Sequence, residues 1–287
     1  MSVQYLERNG EKRASLMARA TSGDLTISNK EMADAFAIDP HYDVNQIPLD
    51  GLDPSHPALF ANDTVWEHFA RLRKEDPVHY HKESSVGPYW SVTRYEDIMH
   101  VDKNHDIFSS KQSMGGITLG GAPRPEDDAF ALPMFIQEDP PKHDAQRRVV
   151  TPMFIPRNLA DLEPLIRERA GIILDGLPRN EEFDWVQHVS KELTAQMLAT
   201  LFDVPQEDRM KLVFWSDTVQ QLGDPEMFEN PEEGFKILFE CLAYFTEFYE
   251  ARKKEPAKFD LISMLAHGKD TRDMAPMEFL GNLILLI

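Results

Sequence analysis

The sequence predicts a mainly α fold (α+β), a helical body with a small β-hairpin element near its N-terminal side, and three observations predict it. From Asp139 onward, apolar residues recur at helical spacing in segment after segment, punctuated by Pro156, Pro178, Pro205 and Pro225. Between Pro77 and Val92 the period shortens to two. Hydrophobic residues make up 42% of the 287 and charged ones 28%, the balance of a globular chain able to bury a core.

Residues 1–57 read as a polar lead-in punctuated by Pro40, Pro48, Pro54 and Pro57, with at most short helices near Lys12–Ala20 and Asn29–Ala37. Asp63 and Thr64 are placed to cap a helix whose apolar face is Val65, Trp66, Phe69 and Leu72 and which ends before Pro77. Val78–His81 and Tyr89–Val92 flank a Gly87-Pro88 turn as a two-strand hairpin, and Tyr95–Val101 is a short helix. Residues 103–138 form a long irregular stretch with paired glycines. It carries no Lys-Ser/Thr after them and no GxGxxG spacing, so it is not a phosphate cradle. Its apolar content (Ile117, Leu119, Phe130, Leu132, Met134, Phe135, Ile136) suits either an ordered substrate-lining loop or ordinary packing. Helices are then expected over roughly 140–153, 159–177, 186–203, 206–222, 232–254, 260–267 and 276 to the end, with Phe183-Asp184-Trp185 as an isolated strand. Pro276 suits a helix first turn, and Met277, Leu280, Leu283 and Leu285 mark a buried central helix. No Gly, Asn or basic last turn closes it, so the chain is expected to be the N-terminal part of something longer.

Asp and Glu number 49 against 30 Lys and Arg, a net charge of −19, which excludes a general nucleic-acid binder. Cys241 is the one cysteine, so no intramolecular disulfide forms. With no signal-peptide h-region and a longest apolar run of Leu283–Ile287, no membrane span is expected and a cytoplasmic location is.

The segment Asp139-Pro140-Pro141-Lys142-His143-Asp144-Ala145-Gln146-Arg147-Arg148 carries the clearest chemistry. Asp139 is placed to cap a helix on which His143 and Arg147, four apart, share a face. Lys142, Arg147, Arg148 and Arg157 meet one acid, Asp144, between 140 and 157, a basic island in an acidic chain. A His beside a forked guanidinium suits a carboxylate-bearing ligand; pairing of Arg147 with a neighbouring acid on a surface helix is the alternative. His79 and His81 share a strand face, but two ligands are too few for a metal site and a hairpin surface is the simpler expectation. Glu126-Asp127-Asp128 is a solvated acidic run.

Asp-Pro-Pro-x-His-x-x-x-Arg followed by Met153-Phe154-Ile155-Pro156-Arg157-Asn158-Leu159 resembles the C-helix region of bacterial cytochrome P-450 enzymes. Trp66–Asp76 with Pro77–Tyr80 and Tyr89–Ile98 resembles their first helix, hairpin and second helix. Phe259–Leu265 and Gly281–Ile287 resemble the helix before the long central one and that central helix itself. Gly87–Arg94, Ser190–Thr194 and Pro276–Leu283 are similar to the soluble terminal alkane hydroxylase branch. The resemblance makes 58–287 the N-terminal part of a single cytochrome P-450 domain, covering little more than half of a family member.

It implies haem b held by His143 and Arg147 at its propionates, and an apolar slot in which Ile117, Leu119, Met134, Ile136 and Leu285 admit a chain end. It implies hydroxylation of the terminal carbon of medium-chain alkanes or related aliphatic chains with O2 and two electrons. The electrons would come from ferredoxin and ferredoxin reductase, docking at Lys142, Arg148 and Arg157 on a monomer. Gly223–Pro231 would be the lid over the substrate entrance; a hydrophobic staple between its helices is the other reading. The family's acid–Thr pair and Cys loop would lie past Ile287. Around Cys241 the loop pattern Phe-x-x-Gly-x-x-x-Cys-x-Gly is not met, and a small buried thiol is expected there, so this chain is expected to be inactive alone. The rival from another class is a non-catalytic acidic helical binding or scaffold protein.

Overall fold

The computed structural model describes residues 43–56, 59–60, 62–84, 86–119, 132–222, 228 and 231–287. The chain divides into two compact units, Met1–Asp127 with Asp224–Glu229, and Asp128–Gly223 with Asn230–Ile287.

In the first unit, the polar lead-in contributes more than a wrapping surface. Val44 and Leu52, in and after two 3-10 turns, bury themselves with Leu72 as a small core. Helix α1 (Val65–Glu75) follows as expected, but its faces differ from the expectation. Trp66 is exposed, its indole Nε1 donating to Asp63 Oδ1 at 2.7 Å, and His68 takes the buried position beside Val65 and Leu72. Asp63 is thus spent on the indole, and no side chain caps the helix. Strands β1 (Val78–His81) and β2 (Tyr89–Val92) pair antiparallel, His79 opposite Ser91 and Tyr80 opposite Trp90. Gly87 sits at φ 82° in the turn, a conformation that favours glycine.

The hairpin corrects the expectation for His79 and His81. They lie on its buried face, while Val78, Tyr80 and Trp90 are exposed. That inner face is polar and internally bonded. His79 Nδ1 is 2.7 Å from Asp76 Oδ2, His81 Nε2 is 2.7 Å from Ser91 Oγ, and the His81 ring stacks on Tyr89 at 4.3 Å. Burial, with the His79 charge adding to it, pushes the His81 pKa down, which favours the neutral ring. Helix α2 (Tyr95–Lys103) closes this stretch.

The second unit holds α3 (Lys142–Val150), α4 (Pro156–Asp175), α5 (Glu192–Phe202), α6 (Arg209–Gln221), α7 (Pro231–Arg252), α8 (Leu261–His267) and α9 (Pro276–Leu286). A π-helical turn over Val186–Lys191 leads into α5. Phe183-Asp184-Trp185 is not a strand: Asp184 Oδ1 instead accepts the Gln187 amide at 3.0 Å, so its side chain starts the helical turn.

On α7 the buried positions Leu238, Cys241, Phe245 and Tyr249 step by three or four, one helix face. Phe202, Trp215 and Tyr244 gather around Phe245 at 5.6, 5.7 and 5.4 Å between ring centroids. Asp260 starts α8 by accepting the Ser263 amide at 2.7 Å, a cap of the kind worth about 1 kcal/mol. Helix α9 is buried on all sides from Phe279 to Ile284, the mark of a central helix, while Met277 and Leu285 are half-buried. Among the described residues no helix is long and apolar enough to cross a membrane. The expected helices near Lys12–Ala20 and Asn29–Ala37, the acidic run 126–128 and most of the 223–231 connection lie outside the described residues.

Candidate functional site

The site is built on α3 and on the segment that enters it. Leu132–Met134 is extended, Phe135–Gln137 makes one 3-10 turn, and Pro140-Pro141 delivers the chain to the helix. The expected cap by Asp139 is corrected: α3 starts at Lys142, and Pro141 occupies the cap position. The Asp139 carbonyl accepts from the His143 amide at 3.2 Å.

His143 and Arg147 do lie one turn apart on α3. The half-buried His143 ring has Nδ1 2.8 Å from Asp144 Oδ1 and sits 6.2 Å from the Phe135 ring. Its Nε2 has no hydrogen-bond partner among the described residues. The Asp144 contact favours a proton on Nδ1 and, in the imidazolium, leaves Nε2–H available as a second donor. Arg147 is exposed and makes no ion pair among the described residues. Arg148 and Arg157 are likewise exposed and without ion pairs. Lys142 leaves the basic island: it bridges Glu138 and Glu278 at 2.8 Å each. Burial pulls the Lys142 pKa down, but its bonds to those two carboxylates outweigh this and raise it.

Of the apolar candidates, Met134 and Leu285 are half-buried and pack against the large core of the second unit. Ile136 is exposed at the same turn. Ile117 and Leu119 are exposed in the first unit.

A set of residues that sequence reasoning passed over ties this segment down. Asn282, fully buried on α9, accepts the Phe135 amide on Oδ1 at 2.8 Å and donates from Nδ2 to Gln146 Oε1 at 3.2 Å. Gln146 Nε2 donates to Glu278 Oε1 at 2.8 Å, the oxygen that Lys142 also reaches. Burial alone would raise the Glu278 pKa, yet the bonds from Lys142 and Gln146 hold it below its ordinary 4.5. A groove of about 470 Å³, with Lys142, Gln146, Met274 and Glu278 in its lining, opens this end to solvent. Beside Asn282, Gly281 lets the Pro133 carbonyl approach so closely that a Cβ would overlap it. The signal in the sequence was a lone amide in the apolar run of α9, since a buried polar group demands partners.

The donor set fits the carboxylate end of a haem. His143 and Arg147 share a helix face, and neither Nε2 nor the guanidinium has a protein partner among the described residues. It supplies no axial ligand. Cys241 is fully buried in the α7 face, and burial pushes its thiol up to about 12, so it stays protonated. No group of three or more His, Cys, Asp or Glu that could hold a metal occurs among the described residues.

No family model matches the chain. It is 32% identical over 241 residues to linalool 8-monooxygenase of Pseudomonas putida, across 82% of this chain and 59% of that protein. Two solved structures each superpose with a TM-score of 0.72 over 82% of this chain and 58% of theirs. One is cytochrome P450-153 from Novosphingobium aromaticivorans at 39% identity and the other CYP153D17 from Sphingomonas sp. PAMC 26605 at 43%. The chain thus spans somewhat under 60% of the length of these relatives.

Proposed function

This chain belongs to the bacterial cytochrome P450 family, and from that premise we propose that it carries the propionate-holding helix and part of the substrate wall of a haem-thiolate monooxygenase. The substrate class we assign is the aliphatic chain hydroxylated at its terminal carbon, which the likeness to the two P450-153 structures supports. The observation that carries the reading is the pair on α3: a half-buried His143 and an exposed Arg147, whose Nε2 and guanidinium have no partner among the described residues, in a chain of net charge −19.

Haem b, once bound with its iron held by a cysteine thiolate, supplies the O2 activation. The residues of this chain supply placement. Arg147 would hold a propionate through its guanidinium and His143, as the imidazolium, through Nε2, its ring oriented by Asp144 and beside Phe135. Met134, Ile136 and Leu285 present apolar surface to a hydrocarbon chain. An apolar wall discriminates by only about 1–3 kcal/mol per methylene, so several chain lengths are accepted. Arg148 and Arg157, exposed and without ion pairs among the described residues, attract an acidic ferredoxin, reduced in turn by its reductase.

The protein produced from its own gene tests this. With haem, reduction and carbon monoxide, it should show the red-shifted band of a thiolate-ligated iron. With a ferredoxin, its reductase and labelled O2, a medium-chain alkane should acquire label at its terminal carbon, at a rate that falls as salt rises. Arg147→Ala should weaken haem binding roughly tenfold, the effect of losing one charged hydrogen-bonding partner. Absence of both the band and the labelled product sinks the reading.

A further inference from the structure

Asn282 stands between Phe279, Leu280, Gly281, Leu283 and Ile284, all buried, on a helix that otherwise offers the interior nothing polar at this level. Its bonds have a direction that the ends of the chain of contacts impose. The Phe135 N–H can only donate, so the Asn282 atom facing it is the carbonyl oxygen. The Asn282 amide nitrogen therefore faces Gln146, whose facing atom must be its oxygen. The Gln146 nitrogen is then left for Glu278, a carboxylate that can only accept and whose same oxygen, Oε1, Lys142 also reaches. Both amide orientations follow from a backbone donor at one end and an ion pair at the other. Donors and acceptors alternate from Phe135 to Lys142, Asn282 Nδ2 also donates to Met274 Sδ at 3.1 Å, and Gly281 presses the same segment against α9 through the Pro133 carbonyl. The Phe135 ring, placed by this amide bond, is the neighbour of the His143 ring.

We propose that Asn282 and Gln146 are positioning residues of the candidate site: through them the central helix α9 sets the wall segment 132–138 and, by way of Phe135, the orientation of the His143 imidazole. This rests on the reading of His143 and that segment as parts of the haem and substrate site. A wall held in this way fixes how far a chain end enters; a released one lets the chain slide, and oxidation spreads inward from the terminal carbon.

Three variants test it. Asn282→Leu keeps the volume and removes the bonds to Phe135, Gln146 and Met274. Gln146→Glu sets two carboxylates facing each other and breaks the alternation. Gln146→Glu combined with Glu278→Gln moves the carboxylate one side chain along and restores it: the carboxylate accepts from Asn282, and the amide at 278, turned so that its nitrogen takes the place of the oxygen that serves both partners in the parent, donates to it and brings its own oxygen to Lys142.

In the protein produced from its own gene, before haem is added, hydrogen exchange of peptides covering 132–138 should quicken roughly tenfold or more in the two single variants. In the double variant it should return to within about threefold of the parent. Peptides from α7 should be unchanged throughout. The His143 ring resonances should shift in the single variants and return in the double one. In the haem-loaded protein, the ratio of terminal to internal hydroxylation should fall and recover in the same order.

Exchange and His143 resonances that ignore the single variants overturn the proposal, as does a double variant no better than Gln146→Glu, or a rise in exchange spread over α7 as well. An active enzyme whose product ratio does not move overturns it too. Should Asn282→Leu fail to fold, the Gln146 and Glu278 pair decides alone. A parent protein that binds no haem defeats the monooxygenase reading, while the exchange and resonance data still decide whether the relay positions Phe135 and His143.

Discussion

The relay from Lys142 to Asn282 and the ion cluster around Arg252 both lie in the second unit and both join helices far apart in sequence, but from different chemistry. Arg252, at the end of α7 with its side chain 9% exposed, meets Asp203 after α5, Glu255 at 3.0 Å and Asp260 before α8 at 3.6 Å. Within that cluster Arg252 Nε and Asp260 Oδ2 have no hydrogen bond. Attraction between charges falls off slowly with distance, so the cluster holds three helix ends together without needing every atom in register. The relay is nearly neutral along its middle and has no such tolerance: each amide oxygen must face a donor and each amide nitrogen an acceptor. Charge suits fastening, and the amide chain suits alignment. The candidate site sits on the aligned side.

The sharpest way to break the comparison is Arg252→Ala. It strips the counter-charge from the buried Asp260 and should cost about 3 kcal/mol in urea unfolding, with exchange in 132–138 no faster than elsewhere. A loss under about 1 kcal/mol would place the cluster among ordinary surface pairs.

Gly281→Ala should cost about 1–3 kcal/mol, because the added methyl meets the Pro133 backbone and not a movable side chain. Its signature is the reverse of the first, with exchange rising most in 132–138. Even loosening across the unit would count against a local clamp.

Glu278→Gln should have the smallest effect, under about 1 kcal/mol at neutral pH, since its oxygen can still accept from Gln146 and Lys142. Its pH dependence carries the information. A carboxylate whose pKa is depressed in the folded state adds stability that is full above its ordinary 4.5 and is lost as pH falls through the depressed value. Lys142, raised above 10.5, adds stability that is full below that value and is lost as pH rises through the raised one. The parent's advantage over the variant, read as a difference in urea midpoint, should therefore be flat between about 4.5 and 10.5 and shrink on either side. An advantage that persists at pH 2 would deny Glu278 its place in the relay.

Much of the fold was legible because periodicity reports directly on burial. The hairpin, α2, the long helices of the second unit and the all-round burial of α9 follow from spacing alone. The failures share a cause. Trp66, His79, His81 and Asp184 were assigned by residue type, whereas each is placed by a hydrogen-bonding neighbour that the local pattern does not reveal. In the candidate site, the shared face of His143 and Arg147 was legible as an i, i+4 pair on α3. Which cations stay free was not: Lys142 is drawn off by Glu278, a residue of another helix.

By itself, then, the sequence determined what a helix or strand can decide locally: the period of each element, the basic island at 140–157 and the family to which the motifs point. Only the tertiary structure decided which donors meet which acceptors. The Phe135 amide finds Asn282 across a sequence separation of 147 residues. Hydrogen bonds are short and directional, so such a partnership exists only once packing has brought the two segments to contact.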